Sequence, residues 1–139
     1  MSLRAALATC LLACLLFLPA CGAQTYQMVS LPSAPGAEAT LKAKVKRATH
    51  LTTVDLVIAK LPPPTEVVDG ATAYVAWYRP NAKQAWKRIG AIAYDAHART
   101  GELHASTPET AFDFEVSAET SDDVDAPSDA LLFTQRVEK

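Results

Sequence analysis

Beyond residue 37 the chain alternates apolar and polar positions over short runs separated by turn residues. In Ala39–Lys46, Leu41, Ala43 and Val45 alternate with Lys42, Lys44 and Lys46, the period of two expected of a half-buried strand. Val54, Leu56 and Ile58 repeat the pattern in Thr53–Lys60, and Leu61-Pro-Pro-Pro64 stops it, because proline cannot donate to a sheet ladder. Ala71–Tyr78 forms a third run, ended by Arg79-Pro-Asn81. Trp86–Ala93 and Tyr94–His97 are strand-like, and Arg99–Glu102 predicts a hairpin turn leading into Leu103–Ser106. Ala111–Glu119 alternates cleanly, placing Phe112, Phe114, Val116 and Ala118 inward, and Ala130–Val137 closes the series.

About seven strands punctuated by Pro, Gly and Asp, with no convincing amphipathic helix, predict an all-β fold, an antiparallel β-sandwich over residues 37–139. Lys42, Lys44 and Lys46 would guard an edge strand against pairing with another chain. Residues 21–36 carry Pro32, Pro35 and Gly36, which break regular elements. They are expected to form a tether, with room for a short first strand. No internal repeat, heptad pattern or low-complexity tract is present.

The first twenty residues differ in kind. Arg4 precedes an uncharged apolar run from Ala5 to Leu18. That length suits the hydrophobic region of a secretory signal peptide and is short for a membrane span. A buried N-terminal helix is the competing reading of the same run. At its end, Leu18-Pro-Ala-Cys21 resembles the bacterial lipobox. The resemblance implies cleavage before Cys21 and a thioether-linked diacylglycerol on that residue. Two or more acyl chains suffice for stable membrane attachment. The expected location is therefore exported and lipid-anchored to the bacterial membrane. Gly22, where an Asp would resemble an inner-membrane retention signal, mildly favours the periplasmic face of the outer membrane. Ordinary cleavage near Gly22 or Ala23 is the alternative and would release a soluble secreted protein. Cys10 and Cys14 leave with the signal peptide, so a disulfide and a cysteine zinc site are excluded from the mature domain. A domain of this size needs neither to bury a core.

The chain has 139 residues, is half apolar and carries a net charge of −2. With no basic stripe to follow a phosphate backbone, nucleic acid is not an expected partner. G-x-S-x-G, H-E-x-x-H, S-x-x-K and phosphate-binding glycine loops are missing. The chain is expected to be non-catalytic and to use no cofactor. A hydrolase built from a serine or carboxylate pair without a spacing signature is the enzymatic alternative.

Four stretches together resemble the extracytoplasmic domain of the anti-sigma-K factor family: "LPPP", "YVAWYRP", "IGAIAYDAHARTGELHASTPETAFDFEVSAET" and "APSDALL". The resemblance rests on Tyr74 with Trp77, Ile89 with Gly90, Glu119, and Pro127 with Ser128. It spans about Leu61 to Leu132 and implies an immunoglobulin-like sandwich outside the cytoplasm. The family's cytoplasmic sigma-binding segment and membrane helix have no counterpart in this sequence, so sigma-factor sequestration does not follow.

Three groups of side chains are candidates for function. Trp77, on one face with Ala73 and Val75, is expected in the central core. Tyr74 and Tyr78 would then point outward, beside Trp86 and Arg88 of the next strand and ringed by Arg79, Lys83 and Lys87. An outward aromatic patch with arginine has the composition of an interaction hot spot or of a stacking platform for sugar rings. The plainer reading is a set of cross-strand pairs. His97 and His104 would oppose each other across a two-residue Thr100-Gly101 turn, with Arg99 opposite Glu102. Paired imidazoles suit zinc, copper or nickel, but Asp95 is the nearest third ligand on offer and two solvated histidines account for the pattern. Asp122, Asp123, Asp125 and Asp129 concentrate carboxylates without the spacing of a calcium loop, which reads as a solvated acidic turn. These features favour a protein-interaction module in the cell envelope. A module binding glycan or peptidoglycan through the same aromatics is the alternative.

Overall fold

A computed structural model describes residues 22–138. Among these residues nine strands form two antiparallel sheets, and one helical turn lies in the connection from the third strand to the fourth. The strands are β1 (Gln24–Val29), β2 (Glu38–Lys46), β3 (Leu51–Ala59), β4 (Ala73–Arg79), β5 (Lys87–Ala91), β6 (Ala93–Asp95), β7 (Thr100–Thr107), β8 (Phe112–Glu119) and β9 (Leu131–Val137), and α1 covers Pro64–Val67. One sheet has the order β1-β2-β3-β7-β6, the other β5-β4-β8-β9. Setting β1 aside, the two orders reproduce the A-B-E-D and C′-C-F-G arrangement of immunoglobulin sandwiches. The all-β, immunoglobulin-like sandwich is thus present, with nine strands where the pattern predicted about seven.

β2 to β9 correspond to the strand-like runs read from the sequence, and β1 lies in the segment ahead of them. β1 pairs with β2 along its whole length, from Gln24↔Ala43 to Val29↔Glu38. The short first strand for which the tether segment left room is therefore, from Gln24, the edge of the five-stranded sheet. Prolines 32 and 35 act only after it, in the turn leading to β2. β5 and β6 are separated by Ile92 alone. Its N–H donates to the carbonyl of Tyr74 (2.9 Å) before the chain leaves one sheet for the other.

Between the sheets lie Leu41, Val54, Leu56, Ile58, Leu61, Phe112, Phe114, Val116, Leu132 and Phe133, all essentially inaccessible to solvent. Every inward position predicted for β8 is in this core. β4 reverses its prediction: Tyr74 and Ala76 belong to the inter-sheet core and Tyr78 packs against it. Trp77 and Val75 are just as fully buried, but on the opposite face of the strand. β4 is covered on both faces, so Ala-Tyr-Val-Ala-Trp-Tyr carries no alternation by which to assign them. Tyr74 donates its hydroxyl to the carbonyl of Pro62 (2.5 Å) and stacks edge-on against Tyr94 at 5.6 Å.

Antiparallel pairing sets which loops share an end. β1 begins beside the end of β2, and the β2–β3 hairpin, the β4–β5 connection, the β7–β8 connection and Glu138 lie at the same end. The 60–72 connection, the β6–β7 turn and the 120–130 connection lie at the other.

Candidate interaction surface

The outer face of the β5-β4-β8-β9 sheet carries the polar chemistry of the molecule. Because Phe112, Phe114, Val116 and Ala118 point inward, period two sends Asp113, Glu115, Ser117 and Glu119 outward. The register then sets them in rows: Arg79–Asp113–Arg136, Trp77–Glu115–Thr134, and Val75–Ser117. In the first row Asp113 accepts from Arg79 Nε (3.0 Å) and from Arg136 Nη1 (3.1 Å). Arg136 is held further by the carbonyl of Pro80 (2.9 Å) and by Glu138 (3.0 Å). The Arg79 guanidinium lies 4.3 Å from the centre of the Trp86 ring, a cation–π contact.

These residues bound an open recess of about 390 Å³ lined by Arg79, Trp86, Asp113, Glu115, Thr134 and Arg136, among others. Glu115 is its least exposed charged group, at 4% accessibility. Burial pushes its carboxyl from 4.5 up to about 7; Arg79 opposes the rise, while Asp113 and Glu119 add to it. Near neutral pH the recess therefore holds a carboxyl that is partly protonated, able to donate as well as accept.

Above the recess the same face is sealed. Trp77 Nε1 donates to Ser117 Oγ (2.8 Å), and Ser117 donates to Glu119 Oε1 (2.6 Å). Glu119 also accepts from the backbone N–H of Ser128 (2.7 Å), whose hydroxyl donates to the carbonyl of Ala118 (3.0 Å). Arg88 donates to the carbonyl of Asp122 (2.8 Å). These contacts fasten the Thr120–Ala130 connection over Trp77. Its cover is a loop, and the network leaves no buried side-chain polar atom without a partner among the described residues.

The predicted site residues separate accordingly. Trp86 and Arg88 face outward as expected. Tyr74 and Tyr78 do not join them, since both turn to the core side, Tyr78 edge-on to Phe112 at 6.3 Å. The expected Tyr/Trp patch is thus a single tryptophan set among arginines. Cys21 lies outside the described residues. Asp113, Glu115 and Arg136 were missed; the signal for them was a run of carboxylates alternating with phenylalanines on a central strand.

The histidines are not opposed. Asp95 Oδ1 accepts from the N–H groups of His97 (2.9 Å) and Ala98 (3.0 Å), which builds an Asx-type turn over Ala96–Arg99. Asp95 then faces Thr100, and Ala93 faces Glu102. His97 sits in the turn, while His104 lies beyond the reach of β6 and contacts Asp55 of β3. Among the described residues no three His, Cys, Asp or Glu side chains converge as a metal site. In the acidic connection Ser121 donates to Asp123 (2.5 Å), which together with the residue's own backbone N–H holds that carboxyl below its ordinary range.

A second, larger recess of about 590 Å³ lies at the far end, among Pro35, Lys60, Pro62, Glu66 and Arg99. Its charges are spent on exposed pairs, Arg99–Glu66 and Lys60–Glu38, both 3.3 Å. Exposed pairs of this kind contribute little. The Tyr94 hydroxyl donates to the carbonyl of Leu61 (3.1 Å), so the nearby polar groups are used in the fold.

In comparison with known proteins, no family model, no curated protein and no solved structure matches this chain.

Proposed function

We propose that the protein is an exported bacterial lipoprotein, anchored through Cys21, whose sandwich is a non-catalytic protein-interaction module of the cell envelope. The reading of the first twenty-one residues rests on their sequence: an Arg-led apolar run ending in Leu-Pro-Ala-Cys. The observation that supports the module is the half-buried Trp86 with Arg79 against its ring, at the rim of a recess holding carboxylates and guanidinium groups together. Tryptophan and arginine are among the residues that most often carry binding energy at protein interfaces; here Arg79 ends β4 and Trp86 stands immediately ahead of β5. The mixed charge fits a polar protein surface.

The glycan alternative draws less support. One face of Trp86 is taken by Arg79, and Tyr74 and Tyr78 are turned inward, so a run of aromatics for stacking sugars is lacking on this face. Sedimentation with purified cell wall separates the two, because a protein-binding module stays in the supernatant.

In-cell crosslinking compares the wild type with Trp86→Ala/Arg79→Ala. Loss of specific crosslinked species in the double variant, with the fold retained, is the expected result; an unchanged crosslinking pattern overturns the surface assignment. For the anchor, Cys21→Ser should abolish acyl labelling and release the protein from membranes. Persistent labelling refutes it.

A further inference from the structure

The charges of the domain are divided between its two ends. At the end where the chain enters at Gly22 stand Lys44 and Lys46 of β2, Arg47 of the β2–β3 hairpin, and Lys83 and Lys87 at the β4–β5 connection, all exposed. Among the described residues none of these five is within 4.0 Å of a carboxylate. The carboxylates at this end are Asp113 and Glu138, which are engaged by Arg79 and Arg136, and the half-buried Glu109 of the β7–β8 connection, so the five cations outnumber the one carboxylate not held by an arginine. At the opposite end the 120–130 connection alone carries Asp122, Asp123, Asp125 and Asp129, and the cations Lys60 and Arg99 are both paired. A net charge of −2 thus conceals a basic pole and an acidic one.

The strand pairing gives this division a consequence. β1 begins at Gln24, three residues from Cys21, and a residue spans at most about 3.5 Å. Cys21 and the edge of the sheet are therefore no more than roughly 10 Å apart, comparable with the Debye length of about 8–10 Å at 0.1–0.15 M salt. We propose that the basic pole of Lys44, Lys46, Arg47, Lys83 and Lys87 is a docking surface for anionic phospholipid headgroups, which holds the domain upright with its acidic pole away from the bilayer. This inference rests on the anchor at Cys21. Anchoring puts the cations in range of the membrane's negative potential, where each strengthens attraction by roughly fivefold. The acidic pole is repelled by the same field. The acyl chains supply attachment and the cations supply orientation.

The test uses the full chain purified from membranes and reconstituted in two sets of vesicles, pure phosphatidylcholine and phosphatidylcholine with 30% phosphatidylglycerol. A water-soluble amine reagent then labels exposed lysines, read by mass spectrometry. Lys44, Lys46, Lys83 and Lys87 should react at least threefold more slowly on anionic vesicles and recover in 0.5 M NaCl, and in Arg47→Glu/Lys83→Glu/Lys87→Glu the remaining Lys44 and Lys46 should react alike on both vesicles. Lys60, at the acidic pole, should not change. Flotation on phosphatidylcholine vesicles reads the anchor separately. If the protein floats there and lysine labelling ignores lipid charge, the docking surface is overturned and the anchor stands. If it floats only with anionic vesicles, with the same salt-reversible protection, the surface stands and the anchor falls. If it binds neither, both are overturned.

Discussion

Glu115 joins chemistry to stability at a single residue. Its carboxyl is raised from 4.5 to about 7 chiefly by burial, so the folded protein binds this proton more tightly than the unfolded chain does. Ionising it therefore costs stability. The cost is absent below about pH 4.5, grows as pH rises to about 7, and is constant above that. Glu115→Gln cannot ionise, so its melting temperature relative to the wild type should climb between pH 4.5 and 7 and then level off. A difference independent of pH across that window would contradict the assignment. Trp77 is the second informative residue. Trp77→Phe removes the N–H that Ser117 accepts in a buried setting, which should cost about 1–3 kcal/mol in urea denaturation. The sequence marked Trp77 as buried, and it is. It could not say that the burial lies on the outer face, because that depends on a connection more than forty residues later in the chain.

At the scale of elements, the alternating strands were legible and the covered ones were not. β2, β3 and β8 showed their faces because one side of each meets polar surroundings or a regular row of carboxylates. β4 did not, since both its faces are covered. The β6–β7 turn was misplaced because Asp95 closes it through its side chain, a contact that outweighed the turn preference of Thr100-Gly101. Gly101 is instead a point of close approach. A Cβ there would lie 2.8 Å from Ile92 Cγ2 and 2.9 Å from Leu61 Cδ2. Both neighbours are buried, so Gly101→Ala should destabilise the fold by about 1–3 kcal/mol through overpacking, read as a lower melting temperature. The 120–130 connection depends on one carboxylate that holds both a hydroxyl and a backbone N–H. Glu119→Ala should accelerate hydrogen exchange of the Ser128 and Ala130 amides by tenfold or more, while the β3 amides in the sheet across the core keep their protection. Equal acceleration everywhere would mean that the connection is not an independently fastened unit.

For the whole molecule, what the chain's own order determined and what the fold decided divide on physical grounds. Local periodicity, proline and the Arg-led apolar run act within a few residues of one another. The strand runs, the all-β class, the outward placement of Trp86 and Arg88, and the case for Cys21 as an attachment point could therefore be read directly. The pairing of β1, the inward turn of Tyr74 and Tyr78, the Arg79–Asp113–Arg136 row and the recess above Glu115 depend on contacts between distant segments. Burial and register, which raise the Glu115 carboxyl and stack Arg79 on Trp86, exist only once the sheets are assembled. The separation of charge into two poles is of the same kind. Its members are scattered along the sequence, and antiparallel pairing alone collects them at opposite ends.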